Sequence, residues 1–241
     1  INRPFDAGIV CRRVFNTVKL YAKQRRLVSL MMAHINEREK NNHMMIDIQS
    51  HIVEFRNGES GKHVFHMDKV IQLLLDKIVQ KTDQYPSLWQ ERILIRTASA
   101  LHDIGKIGID EAILNKPGRL TAEEFESMKA HTTIGADMLR NLPRYQEERI
   151  LQIAIEICRW HHERYDGKGY PDGLVGDEIP ISAQLVSIAD VYDALTSERV
   201  YKKAFSHEKA MQMIREGECG AFNPLLLSCL EEIADELQAE M

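Results

Sequence analysis

Apolar positions recur along this chain with the spacing of the α-helix almost throughout. From Val14 to Ile35 the spacing is 4-3-4-3, through Val14, Val18, Tyr21, Arg25, Val28, Met32 and Ile35, and only Arg25 breaks the apolar or amphipathic character. Such a seam predicts a long helix that pairs with a copy of itself, or one amphipathic helix lying on its own domain. The short seam and its arginine leave both readings open. The charged run NEREKNNH is expected to end this helix near residue 40. Ile48, Ile52 and Phe55 then predict a second helix before the loop RNGESGK.

The remainder reads as further helices. His63 to Thr82 carries Met67, Val70, Ile71, Leu74, Leu75 and Ile78 on one side. Leu88 to Leu101 is apolar with scattered charge. The segment TAEEFESMKAHTTIGADMLRNL opens with Thr121 as N-cap and Glu124 three residues on, a capping-box pattern. Glu147 to His161, Ser182 to Leu195 and Ser206 to Glu216 complete the set, the last with Ser206 as cap. Pro171, Pro180 and Pro224 are expected in connections. No period-two run is long enough to predict a strand, so the expected fold class is all-α.

Composition narrows the function. The 241 residues carry a net charge of −5 with a pI near 6.1, and 44% of them are hydrophobic. The core is therefore ample, and there is no general excess of Lys and Arg to coat a nucleic acid polymer. A small anionic ligand at a local cationic site stays open. Cys11, Cys158, Cys219 and Cys229 show no metal-ligand spacing and are too few for a disulfide scaffold. Reduced thiols in the cytoplasm are expected. No membrane span or signal peptide is visible. The first residue is Ile1 rather than Met, as expected of a piece of a longer protein.

The ten histidines are placed unevenly. His102 and Asp103 end one apolar helix, in ASALHDIGKIG, and Asp190 closes another apolar stretch, LVSIADVYDAL. A carboxylate set in an apolar helix is costly unless positive charge compensates it. A lone helical His is usually a hydrogen-bonded core residue, and a lone Asp after an apolar run is usually a cap. The repetition of His and Asp at apolar helix ends points instead to divalent cations. Glu59 and His63 share a face if one helix covers both, and His66 reads as a residue behind the ligands or at the surface.

Several motifs in order resemble the HD-GYP domain, a branch of the HD metal-dependent phosphohydrolases. They are ESGKH at 59–63, LHDIGKIGI at 101–109, ILNKPGRL at 113–120, MKAHTTIGADML at 128–139, HHERYDGKGYPDGL at 161–174 and IADVYDALTSERVYKKA at 188–204. The resemblance implies an HD-domain helical bundle over about 56–235, preceded by a long linker helix within 14–55. It implies two or three divalent metal ions, iron first and manganese as the alternative. The implied ligands are Glu59, His63, His102, Asp103, His131, His161, His162 and Asp190, with Asp103 bridging two metals and Glu59 favouring a third. It implies hydrolysis of cyclic di-GMP to linear pGpG and then GMP. Lys106 is implied at a substrate phosphate, and Tyr170, Arg199 and Lys202 around the guanine and phosphates.

The chemistry of the residues agrees with this. Histidine and carboxylate without thiolate suit iron, manganese or zinc, and adjacent cations acidify water for attack on a phosphodiester. His161 and His162 are expected to end a helix facing the metals, and Gly167 and Gly169 to bring the following loop over the pocket. Two departures from the family pattern stand out: His66 where Arg is frequent, and FNP at 222–224 where FDP is frequent. INRPFDAGIVCRRVFN resembles the last strand-to-helix junction of a receiver domain, with Arg3-Pro4-Phe5 in place of Lys-Pro-Phe. That implies a receiver remnant over 1–20 and an output domain of a response regulator, dimeric through the N-terminal helix. Two further readings remain: a slow cyclic dinucleotide-binding module, and an HD hydrolase of another cyclic dinucleotide.

Overall fold

The computed structural model describes residues 7–56, 63–198 and 203–240. They form helices α1 (Ala7–Arg56), α2 (His63–Lys81), α3 (Leu88–Ser99), α4 (Glu111–Leu114), α5 (Ala122–Lys129), α6 (His131–Arg140), α7 (Arg149–Trp160), α8 (Ile181–Thr196), α9 (His207–Arg215), α10 (Pro224–Glu232) and α11 (Ala234–Glu240), with short 3-10 turns at Ile104–Gly108, Pro143–Tyr145 and Gly176–Glu178. Among the described residues the only extended pairing is an isolated bridge between Asp166 and Val175. The fold class is all-α, as expected.

Chain contacts divide the molecule after Met45 into two units. The smaller is the N-terminal stretch of α1, whose Val14, Val18, Tyr21, Val28, Met32 and Ile35 are all exposed. The expected break near residue 40 does not occur, because α1 runs unbroken to Arg56. NEREKNNH holds neither Gly nor Pro, and its Glu, Lys and Arg are good helix formers; a solvated face does not stop a helix.

In the larger unit the predicted stripe of α2 is buried as a whole. It packs on α3, α8 and α10, and α7 closes the layer against α3, α6 and α8. The α8 helix runs through the middle, buried on nearly every side from Ser182 to Ala189. Tyr192, the largest fully buried side chain, keeps its hydroxyl satisfied by His207 Nδ1 at 2.8 Å.

Two helical expectations change. The segment from Thr121 to Leu142 is two helices, with the predicted Thr121–Glu124 capping box in place and an interruption at Ala130. There the turn after Asp103 presses in so closely that a Cβ on Gly105 would overlap the His131 carbonyl and the Gly135 amide. Pro224 lies at the first turn of α10 rather than in a connection, where its missing N–H is not needed, and Asn223 caps that helix through Leu225 N. Asn223 also donates to Gln184 Oε1 at 2.9 Å, so the departure from FDP is absorbed in packing.

Candidate metal centre

Five helices deliver the site, four of them from their ends. His63 opens α2, His102 and Asp103 follow α3, His131 opens α6, His161 and His162 follow α7, and Asp190 lies on α8. Their donor atoms form two groups, His63–His102–Asp103 and His131–His161–His162, each with all atoms within 4.8 Å of one another. Asp103 joins the groups. Its Oδ2 is 3.2 Å from His102 Nε2, and its Oδ1 is 3.3 Å from His131 Nε2 and 3.9 Å from His161 Nε2. Asp190 Oδ1 stands 3.9 Å from His63 Nε2. Of the eight expected ligands, Glu59 lies outside the described residues, as do Arg199 and Lys202.

The backbone fixes how the imidazoles face. His102 Nδ1 lies 2.8 Å from Ser99 O, His131 Nδ1 2.7 Å from Met128 O, and His161 Nδ1 2.9 Å from Ile157 O. His63 Nδ1 lies 2.6 Å from Asp193 Oδ2. A carbonyl or carboxylate only accepts, so each Nδ1 carries the proton and each Nε2 presents a lone pair inward. Two such Nε2 pairs approach to 3.4 Å, His63 with His102 and His131 with His161. His131 and His161 are both held neutral, so they have no proton to share, and their facing lone pairs at that distance call for a cation. Asp103 Oδ1 is buried and accepts no hydrogen bond, a costly state that a metal removes. These observations fit divalent metal ions held by nitrogen and oxygen.

The electrostatics point the same way. Burial disfavours a His102 cation, yet Asp103 and Asp190 outweigh it and raise the group to about 9. Burial, with His102 and His131 nearby, pushes His161 down to about 3. Burial and the same neighbourhood hold His162 and His131 below the ordinary imidazole range. Burial opposes the Asp103 anion, but Lys106 and His102 keep it ionised well below the usual carboxylate range. His131, His161 and His162 are thus held neutral beside an ionised Asp103, as metal ligation requires, while the acidic neighbours of His102 and His63 favour a proton there that a bound cation would displace.

Around this centre the other expected residues take definite places. Lys106 Nζ lies 2.6 Å from Asp103 Oδ2 in a largely buried ion pair. The Tyr170 ring stacks on His162, with centroids 4.7 Å apart. His66 binds behind the ligands: its Nδ1 is 2.8 Å from Asp193 Oδ1.

Three residues that the sequence reading passed over support the centre. Asp193 is buried and holds both His63 and His66, with Ser197 Oγ donating to it at 2.7 Å. Its signal was present, three residues after Asp190 on the same helical face. Glu163 is buried and accepts the backbone N–H groups of Asp172, Gly173 and Leu174 at 2.7, 3.0 and 3.1 Å, tying the loop back to the end of α7. Arg56 donates to the carbonyls of Lys106, Ile107 and Ile109 and so secures the end of the short 3-10 turn. The loop glycines serve the loop itself. Gly167 needs its φ of +77°, and a Cβ on Gly169 would overlap the Glu163 backbone.

The chain is similar to known proteins over most of its length. The family model described as HD domain matches residues 26–224. A cyclic di-GMP phosphodiesterase of Vibrio cholerae is 40% identical over 193 residues, 79% of this chain and 39% of that protein. The cyclic di-GMP phosphodiesterase response regulator RpfG of Xanthomonas campestris pv. campestris is 35% identical over 201 residues, 83% of this chain and 50% of that one. A 3′3′-cGAMP-specific phosphodiesterase of Vibrio cholerae is 35% identical over 225 residues, 89% of this chain and 41% of the relative. The chain thus spans half or less of the length of these curated relatives. Among solved structures, Bd1817, an HDG"Y"P protein from Bdellovibrio bacteriovorus, superposes with a TM-score of 0.54 at 18% identity, covering 82% of this chain and 64% of that one, a likeness of fold. With this match over most of its length, the chain belongs to the HD domain family.

Proposed function

We propose that this chain is the catalytic domain of an HD-GYP-type phosphodiesterase that hydrolyses cyclic di-GMP to linear pGpG and then GMP. The observation that carries this reading is the approach of His131 and His161 Nε2 to a buried Asp103 Oδ1 that has no hydrogen-bond partner, with His102 Nε2 beside the other oxygen of the same carboxylate. The relatives named for cyclic di-GMP supply the substrate class.

In this reading His63, His102, His131, His161, His162, Asp103 and Asp190 hold two or three divalent cations, iron first and manganese second, with Glu59 as the further ligand that completes a third position. When bound, such ions supply acidified water and neutralise charge on the phosphodiester. The protein residues do the rest. Asp103 spreads its two oxygens between the ligand groups. Lys106 has three donors, so it can keep Asp103 and still reach a substrate phosphate. Tyr170, braced on His162, offers a ring to a base; Arg199 and Lys202 add positive charge near the phosphates. No side chain needs to act as a nucleophile.

The N-terminal residues 1–20 are read as the remnant of a receiver domain, by resemblance and by the likeness to a named response regulator. The exposed seam of α1 is read as the contact with a second copy in a cytoplasmic homodimer. A second substrate is favoured by one observation: relatives named for 3′3′-cGAMP are as similar as some named for cyclic di-GMP. Anaerobic incubation of metal-loaded protein with both cyclic dinucleotides, followed by chromatography, decides. Linear product from cyclic di-GMP supports the proposal, and product from 3′3′-cGAMP alone replaces it with the second reading.

A further inference from the structure

Helix α5 has no buried residue. What holds it is polar: the Thr121–Glu124 capping box and the Lys116–Glu124 ion pair. A short surface helix secured this way buries no apolar side chain, yet it carries Phe125, which is 46% exposed. Lys129 lies one turn on, so both side chains share a face. That face meets the loop beside the metal ligands. The Phe125 ring stands edge-on to Tyr170 with centroids 6.4 Å apart, and Tyr170 in turn stacks on His162. Lys129 Nζ lies 5.0 Å from the Phe125 centroid and 5.4 Å from that of Tyr170, while also pairing with Glu126 at 2.7 Å.

An exposed aromatic face, a second aromatic ring and an ammonium group at the rim of a phosphodiester-cleaving centre match one ligand chemistry: a purine base with its attached phosphate. Aromatic rings accept any base by stacking, and the lysine supplies a mobile cation for a phosphate or carbonyl oxygen. We infer that Phe125 and Lys129, together with Tyr170, form a nucleobase shelf that binds one purine of the cyclic dinucleotide. This rests on the reading of the chain as a cyclic dinucleotide phosphodiesterase. Stacking carries little base identity, so the shelf holds guanine and adenine alike and confers affinity, leaving the choice of base to other contacts.

The test compares metal-loaded wild type with Phe125→Ala, Phe125→Leu, Phe125→Tyr and Lys129→Ala. Each is assayed on cyclic di-GMP, on the mixed guanine–adenine cyclic dinucleotide, and on bis(p-nitrophenyl) phosphate, which has no purine. The Ala and Leu variants at Phe125 should raise KM for whichever cyclic dinucleotide is cleaved on the order of tenfold. The kcat, the metal content and turnover of the small diester should stay unchanged, and Phe125→Tyr should restore KM. Phe125→Leu keeps bulk and apolarity, so it covers the case in which the Ala variant fails to fold. Unchanged KM in folded Phe125→Leu overturns the shelf while leaving the proposed activity intact. Wild type that cleaves the small diester but no cyclic dinucleotide fails the proposed function itself, and the shelf with it.

Discussion

At Asp103 the two oxygens of one carboxylate meet different neighbours. Oδ2 is paired with Lys106 and lies beside His102, while Oδ1 faces His131 and His161 without a hydrogen bond. Removing its charge should therefore disable both ligand groups. Asp103→Asn is expected to lose most bound metal and essentially all phosphodiesterase activity, read by elemental analysis per chain and by product formation. Asp193 acts one step back, orienting His63 through Nδ1. Asp193→Asn keeps the shape but weakens that grip, so metal affinity should fall roughly 10- to 100-fold, measured by competition with a chelating dye. His102, Asp103 and Asp190 stand out in the sequence because His and Asp repeat beside apolar stretches, while the full histidine set is what the HD-GYP resemblance implies. Asp193 could not be told from a cap, since only the fold shows that its carboxylate points at two imidazoles.

At the scale of elements, the close seat of the 3-10 turn on α6 positions Asp103 against His131. Gly105→Ala should force the turn outward, costing about 1–3 kcal/mol and lowering Tm by several degrees. Calorimetry of the folded variant reads the shift, and a Tm equal to wild type would show that the seat tolerates a methyl group. The loop after α7 depends on Glu163, whose carboxylate takes three backbone N–H groups. In Glu163→Gln the amides of residues 172–174 should exchange with solvent faster, by a factor corresponding to ~1.5–3 kcal/mol for a lost charged hydrogen bond. Mass spectrometry of that peptide follows it. The stripe of α2 was legible because one side of it is buried and the other is not. The continuity of α1 was hidden by a charged run that interrupts the apolar pattern but not the helix. The interruption at Ala130 has no Gly or Pro to announce it, and it falls where Gly105 seats against the His131 and Gly135 backbone. Glu163 sat unnoticed in the charged string HHER.

For the whole molecule, the net charge of −5 leaves no general excess of Lys and Arg to coat a nucleic acid polymer. Metals that bind only the folded chain also stabilise it, by about 2.7 kcal/mol at a hundred times Kd, so chelation should lower Tm reversibly. The exposed seam of α1 should hold two copies together. Light scattering is expected to give twice the chain mass for wild type, and half that value after Val18→Glu with Val28→Glu. A monomeric wild type at micromolar concentration would remove the dimer from this account. The most direct measurement of its central claim is turnover of cyclic di-GMP by the same anaerobic preparation before chelation, after chelation, and after return of ferrous or manganous ion. Cleavage that disappears with the metal and returns with it is the predicted result. Cleavage that survives complete metal removal would contradict it.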